Sequence, residues 1–132
     1  MEEFIRVPYG STVHGEEEID AVINVLKTTT QMSKNVREFE SKVAAKYSKD
    51  YVIMVNSGSS ANLLALSSMN FKKGSEIITP SLTFSTTIAP IYQLGLVPYF
   101  IGALENKFVA DIYQIEKCIN KKTVAIMIPN LL

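Results

Sequence analysis

The sequence predicts an α/β fold: a mostly parallel sheet with helices on both faces. Short β-branched runs alternate along the chain with segments of helical period, and such alternation requires crossover connections between parallel strands. Size agrees with this. With 132 residues, 47% of them apolar, the chain can supply one sizeable core, and a chain of this length buries about two thirds of its unfolded surface.

The elements follow in order. Over residues 15–27, Ile19, Val22, Ile23 and Leu26 recur at helical spacing and form one apolar stripe. Glu16, Glu17 and Glu18 stand in its first turn, where negative charge opposes the positive end of the helix dipole. They read as a solvated helix start, with an acidic site as the lesser alternative. A polar loop over 28–34 leads to a second stripe of Val36, Phe39, Val43 and Tyr47. Residues 51–55, YVIMV, are short, continuous and β-branched, which predicts a strand buried on both faces. After the joint NSGSS at 56–60, an Ala/Leu-rich helix is expected over 61–69.

Gly74 ends a turn before a second strand at 76–79, and a mostly helical stretch over 83–94 follows, with Pro90 starting or kinking its helical part and Gly95 as its C-cap. Residues 97–101 form a third strand, and Pro98 argues for an edge or strand-start position. Asp111 caps a helix with Ile112, Ile115 and Ile119 inward, and Cys118 beside them reads as a buried or half-buried structural thiol. Tyr92 and Tyr113 read as packing residues with a wet hydroxyl. A fourth strand covers 123–128. Residues 1–50 are thus a helical segment, and 51–132 an α/β domain. Residues 124–128 have the composition of a central, buried strand, yet only Pro129, Asn130, Leu131 and Leu132 follow. The chain is therefore expected to be the N-terminal part of a longer protein; an edge strand closing a small domain is the alternative.

Composition excludes several classes. Thirteen Lys and Arg balance thirteen Asp and Glu, so no basic footprint for nucleic acid is present. One cysteine and one histidine, Cys118 and His14, allow neither an internal disulfide nor a multi-His or Cys/His metal site within the chain. His14 reads as a surface loop residue more readily than as a substrate contact. The start lacks a signal-peptide pattern, and no apolar run approaches the ~20 residues of a membrane span. A cytoplasmic protein is expected.

Two stretches carry chemistry. In residues 55–63, VNSGSSANL, a glycine and three serines lie between a strand and a helix. Gly58 permits a positive φ or a close ligand approach. Ser59 and Ser60 offer backbone N–H groups and hydroxyls where the helix dipole favours an anion. A serine N-cap without a ligand is the plainer reading. There is no G-x-G-x-x-G and no Walker lysine, so dinucleotide and P-loop sites lack support. The second stretch, 78–87, again follows a strand and falls at the same carboxyl edge, where ligands of open α/β sheets collect. Phe84 stands there among Ser81, Thr83, Ser85, Thr86 and Thr87, either as a stacking platform or as an aromatic entering the core.

These stretches, NSGSSANL at 56–63, GSEIITP at 74–80 and TFSTT at 83–87, resemble the DegT/DnrJ family of sugar aminotransferases and related dehydrases. Phe39, Glu40, Ala44 and Tyr47 fit the same pattern, as do Gly95 to Pro98, Asp111 with Ile115 and Glu116, and Ile126 to Pro129. The resemblance implies the N-terminal part of the large domain of a fold-type I pyridoxal 5′-phosphate enzyme. It places the cofactor phosphate at Gly58, Ser59 and Ser60, the pyridine ring on Phe84, and Asn56 and Thr86 in the sugar pocket. It implies a nucleotide-sugar substrate, an amino-acid amino donor and a homodimer for the full-length protein.

The run FIGAL at 100–104 departs from the family by delaying the first acid to Glu105. The family's Schiff-base lysine and its aspartate facing the pyridine nitrogen lie downstream of anything matching residues 129–132. Lys72, Lys73, Lys121 and Lys122 match no such position. No catalytic residue is expected in the chain, which alone should not transaminate. Two other readings remain: a deoxysugar 3-dehydrase of the same family, with histidine in place of the lysine, and a non-catalytic module that binds a phosphate ligand.

Overall fold

The computed structural model describes residues 5–8, 10–31 and 34–130. The expectation for Leu131 and Leu132 lies outside them. The chain forms two compact units, Met1–Met54 and Val55–Leu132.

The first unit holds α1 (Glu16–Thr28) and α2 (Lys34–Lys46). Helix α1 starts where Gly15 N–H donates to the Glu18 carboxylate at 2.7 Å. That bond holds the Glu18 carboxyl below its usual range and satisfies a donor the helix itself cannot. The predicted stripe of α1 exists, but Ile19, Val22, Ile23 and Leu26 all remain exposed. On α2, Lys42 pairs with Glu38 at 2.6 Å one turn earlier, and Ala44 is buried.

The strand predicted at 51–55 does not form. Tyr51 is 90% and Ile53 78% exposed. A strand needs a neighbour to complete its ladder. Among the described residues the run has one such tie, Met54 N–H donating to Glu40 Oε1 at 2.8 Å.

The second unit runs α3 (Gly58–Ser68), β1 (Glu76–Pro80), α4 (Ser85–Gln93), β2 (Val97–Ile101), α5 (Ile112–Cys118) and β3 (Thr123–Ile126). Its three strands are parallel in the order β2-β1-β3. Ile77 and Ile78 on the central strand are 0% exposed. Leu66 of α3, Ile91 of α4 and Leu96 complete the core around Ile77, with Phe71, Leu94, Ala125 and Met127 packed against it. Pro98 lies on an edge strand, as its missing N–H predicts.

Gly95 adopts φ +71° after α4, and Leu96 N–H closes on Ile91 O at 2.9 Å. This is the expected left-handed helix stop. Asp111 caps α5 by accepting from Tyr113 N–H at 2.9 Å. Of its three isoleucines only Ile115 is even half-buried; Ile112 and Ile119 are exposed, because a seven-residue helix lays a single turn on the sheet edge. Tyr92 and Tyr113 are exposed as well, which corrects their reading as packing residues. β3 occupies the other edge of the three-stranded sheet, with Val124 and Ile126 exposed. The buried, central position expected for residues 124–128 is therefore absent from the described sheet.

Candidate functional site

Helix α3 begins at Gly58, three residues before the predicted start, because Ser57 caps it. Ser57 Oγ accepts from Ser60 N–H at 3.2 Å, and Ser57 O accepts from Ala61 N–H at 3.0 Å. The cap therefore uses Ser57 and one donor of the first turn. The N–H groups of Gly58 and Ser59 have no partner among the described residues. Gly58 does not take a positive φ, so its conformational freedom is not what the site uses. A Cβ built on it meets nothing within 4 Å, which leaves open space in front of the turn.

Phe84 is the N-cap of α4 and is 65% exposed. An aromatic bound for the core would be covered, so that alternative is set aside. Its carbonyl accepts from Thr87 N–H at 2.9 Å, which ties the ring's backbone to the first turn of α4. Just before it, the Thr83 hydroxyl is buried with no partner. An orphaned buried hydroxyl is uncommon in a native fold and suits a polar ligand.

The first turns of α3 and α4 lie side by side. Asn62 Nδ2 donates to Thr86 O at 3.2 Å, and a groove of about 280 Å³ is lined by Ser59, Ser60 and Leu63 on one side and Thr86, Ala89, Pro90 and Gln93 on the other. No carboxylate lines it. Three of the residues expected at a ligand, Ser59, Ser60 and Thr86, thus meet in one groove. Gly58 and Phe84 flank it in sequence, whereas Asn56 is exposed and outside its lining. Neutral N–H and hydroxyl donors at a helix N-terminus, with no competing acid, form a donor set for a phosphate. An exposed ring two residues before Thr86 offers a face to a flat heterocycle. These residues fit pyridoxal phosphate.

Sequence reasoning missed Ser57 and Asn62. Ser57 was legible as the first serine of the run. Asn62 was detectable only through Pro90, whose missing N–H leaves the carbonyl four residues earlier in want of a donor.

Lys72, Lys73, Lys121 and Lys122 are exposed in turns at the opposite edge of the sheet, as their flanks predict. Cys118 is half-buried, and the neighbouring thiol raises the Tyr99 phenol above its usual range. Among the described residues no group of three His, Cys, Asp or Glu stands together to hold a metal, and no helix is long and apolar enough to cross a membrane.

Comparison with known proteins gives one consistent picture. Residues 12–132 match the DegT/DnrJ/EryC1/StrS aminotransferase family. The GDP-4-keto-6-deoxy-D-mannose 3-dehydratase of Yersinia pseudotuberculosis is 32% identical over 135 residues, covering 97% of this chain and 34% of that protein. GDP-perosamine synthase of Escherichia coli O157:H7 is 30% identical over 125 residues, covering 93% of this chain and 34% of that protein. A solved structure of the E. coli GDP-4-keto-6-deoxy-D-mannose-3-dehydratase, with bound hydrated PLP, superposes with a TM-score of 0.85 at 33% identity, over 94% of this chain and 34% of that one. The chain spans about a third of the length of the curated relatives it matches.

Proposed function

We propose that this chain, which belongs to the DegT/DnrJ/EryC1/StrS aminotransferase family, binds pyridoxal 5′-phosphate between the first turns of α3 and α4 and contributes that site to an enzyme acting on nucleotide-linked ketosugars. The observation that carries the reading is the pairing of unpartnered N–H groups at Gly58 and Ser59 with an exposed Phe84 one helix away. Gly58, Ser59 and Ser60 hold the phosphate, Phe84 stacks on the ring, and Asn56 and Thr86 contact the sugar. When bound, the cofactor supplies an electron sink for bonds broken beside the sugar carbonyl. The chain's own residues bind and orient; among the described residues of the second unit no lysine lines the groove. On this reading the complete protein works as a cytoplasmic homodimer.

The primary reading is transamination from an amino acid such as glutamate to the ketosugar. The 3-dehydration reading is supported by relatives named as 3-dehydratases at 32% to 35% identity, against 30% for the perosamine synthase. The complete protein, supplied with pyridoxal phosphate, glutamate and a nucleotide-linked 4-keto-6-deoxysugar, separates them. An aminosugar product identifies the aminotransferase, and a 3-deoxy product identifies the dehydratase. Cofactor binding with neither product supports the non-catalytic module.

A further inference from the structure

Helix α4 carries a proline at its sixth position, Pro90, where the helix would normally direct an N–H at the carbonyl of Thr86. Proline has no N–H, so that carbonyl loses its helical donor. The replacement comes from outside the helix: Asn62 Nδ2 donates to Thr86 O at 3.2 Å across 24 residues of sequence. Asn62 is itself a poor helix former in the interior of α3, so local propensity does not account for it. The tertiary bond does. Asn62 stands two and three residues after Ser60 and Ser59, and Thr86 stands two after Phe84. One hydrogen bond therefore joins the turn that offers N–H groups to the turn that carries the exposed ring.

We infer that Asn62 is a positioning residue, whose amide clamps α4 to α3 through the carbonyl freed by Pro90 and thereby fixes the distance between the Gly58–Ser60 turn and Phe84. The inference rests on the proposed cofactor site and adds to it a residue that need not touch the cofactor. Because both partners are half-buried, removing the amide leaves Thr86 O with restricted access to water as its replacement donor, the costly half of a broken hydrogen bond.

The clamp has a signature that general packing lacks. Pro90→Ala restores an N–H to the helix, so the Asn62 bond becomes redundant in that background. Pyridoxal phosphate affinity, the induced circular dichroism of the cofactor at saturation and the urea midpoint are measured for N62A, N62D, N62Q, P90A and N62A/P90A. N62A and the near-isosteric N62D are expected to weaken binding by about tenfold and to reduce the induced dichroism even at saturation. N62Q, which keeps the amide, restores the dichroism. In the P90A background N62A costs less than about twofold. Equal losses in both backgrounds, or full dichroism in saturated N62D, overturn the inference. If N62A does not fold, the double variant must, because the P90A substitution supplies the missing backbone donor; a double variant equally unfolded overturns the inference. Absence of saturable binding by the unaltered chain overturns the cofactor reading and this inference with it. Binding by the unaltered chain without the predicted coupling overturns this inference alone.

Discussion

Residues 51–55 and strand β1 (Glu76–Pro80) are both five-residue runs with three β-branched residues, and both precede a turn and a helix, yet Ile53 is exposed while Ile77 and Ile78 are fully buried. Composition does not separate them. If anything YVIMV is the better strand former of the two, since β1 contains a glutamate and a proline. What separates them is supply of partners. β1 pairs along its whole length with β2 on one side, from Glu76 with Val97 to Pro80 with Ile101, and with β3 on the other. Among the described residues, the run at 51–55 has only the Glu40 carboxylate on Met54 N–H. A β-branched run states that a segment can be buried; the surrounding chain decides whether it is.

The contrast is sharpest in large-to-small substitutions. Ile78→Ala should cost about 2–5 kcal/mol, the usual penalty for a cavity in a closed core. Ile53→Ala should stay within about 0.5 kcal/mol, as for an exposed side chain. Urea unfolding of the chain measures both, and comparable losses would break the distinction. Within β1 itself, the Thr79 hydroxyl is buried without a partner. Thr79→Val keeps the shape and removes the orphan, so it should raise stability by about 1 kcal/mol. A loss of stability would mean that the hydroxyl is satisfied in solution. The smallest effect belongs to Glu40→Gln, which weakens the one tie on residues 51–55; about 0.5 kcal/mol or less is expected. Hydrogen exchange at the Met54 amide, faster in that variant, reports the tie directly.

The same contrast explains what was legible in the sequence. Elements with their signals close in sequence came through: the Asp111 cap, the Gly95 helix stop, and Pro98 as the mark of an edge strand. The exposed stripes of α1, and Ile112 and Ile119 of α5, follow helical period correctly, but period names a face without naming what covers it. At the candidate site, Ser59 and Ser60 were singled out because a glycine among serines is a local pattern and Thr86 through the family resemblance, and all three line one groove. The start of α3 was misplaced because Gly58 reads as a loop residue, when Ser57 caps the helix just before it. Of the two uses read for Gly58, a positive φ or a close ligand approach, it does not adopt the first, and the open space in front of it suits the second. Asn62 was invisible as a functional residue because its partner lies on another helix, and only the proline four residues beyond that partner betrays the need.

The most direct test of the cofactor site is a titration of the chain with pyridoxal phosphate and with pyridoxal, before and after Gly58→Glu. A glutamate in the first turn complements the helix dipole, so the fold is retained, while its charge and bulk fill the space in front of the Gly58 and Ser59 N–H groups. The account predicts saturable binding of pyridoxal phosphate, displaced by inorganic phosphate, at least about tenfold tighter than pyridoxal and abolished by the substitution. Equal affinity for the two compounds, or binding of pyridoxal phosphate unaffected by Gly58→Glu, would contradict it.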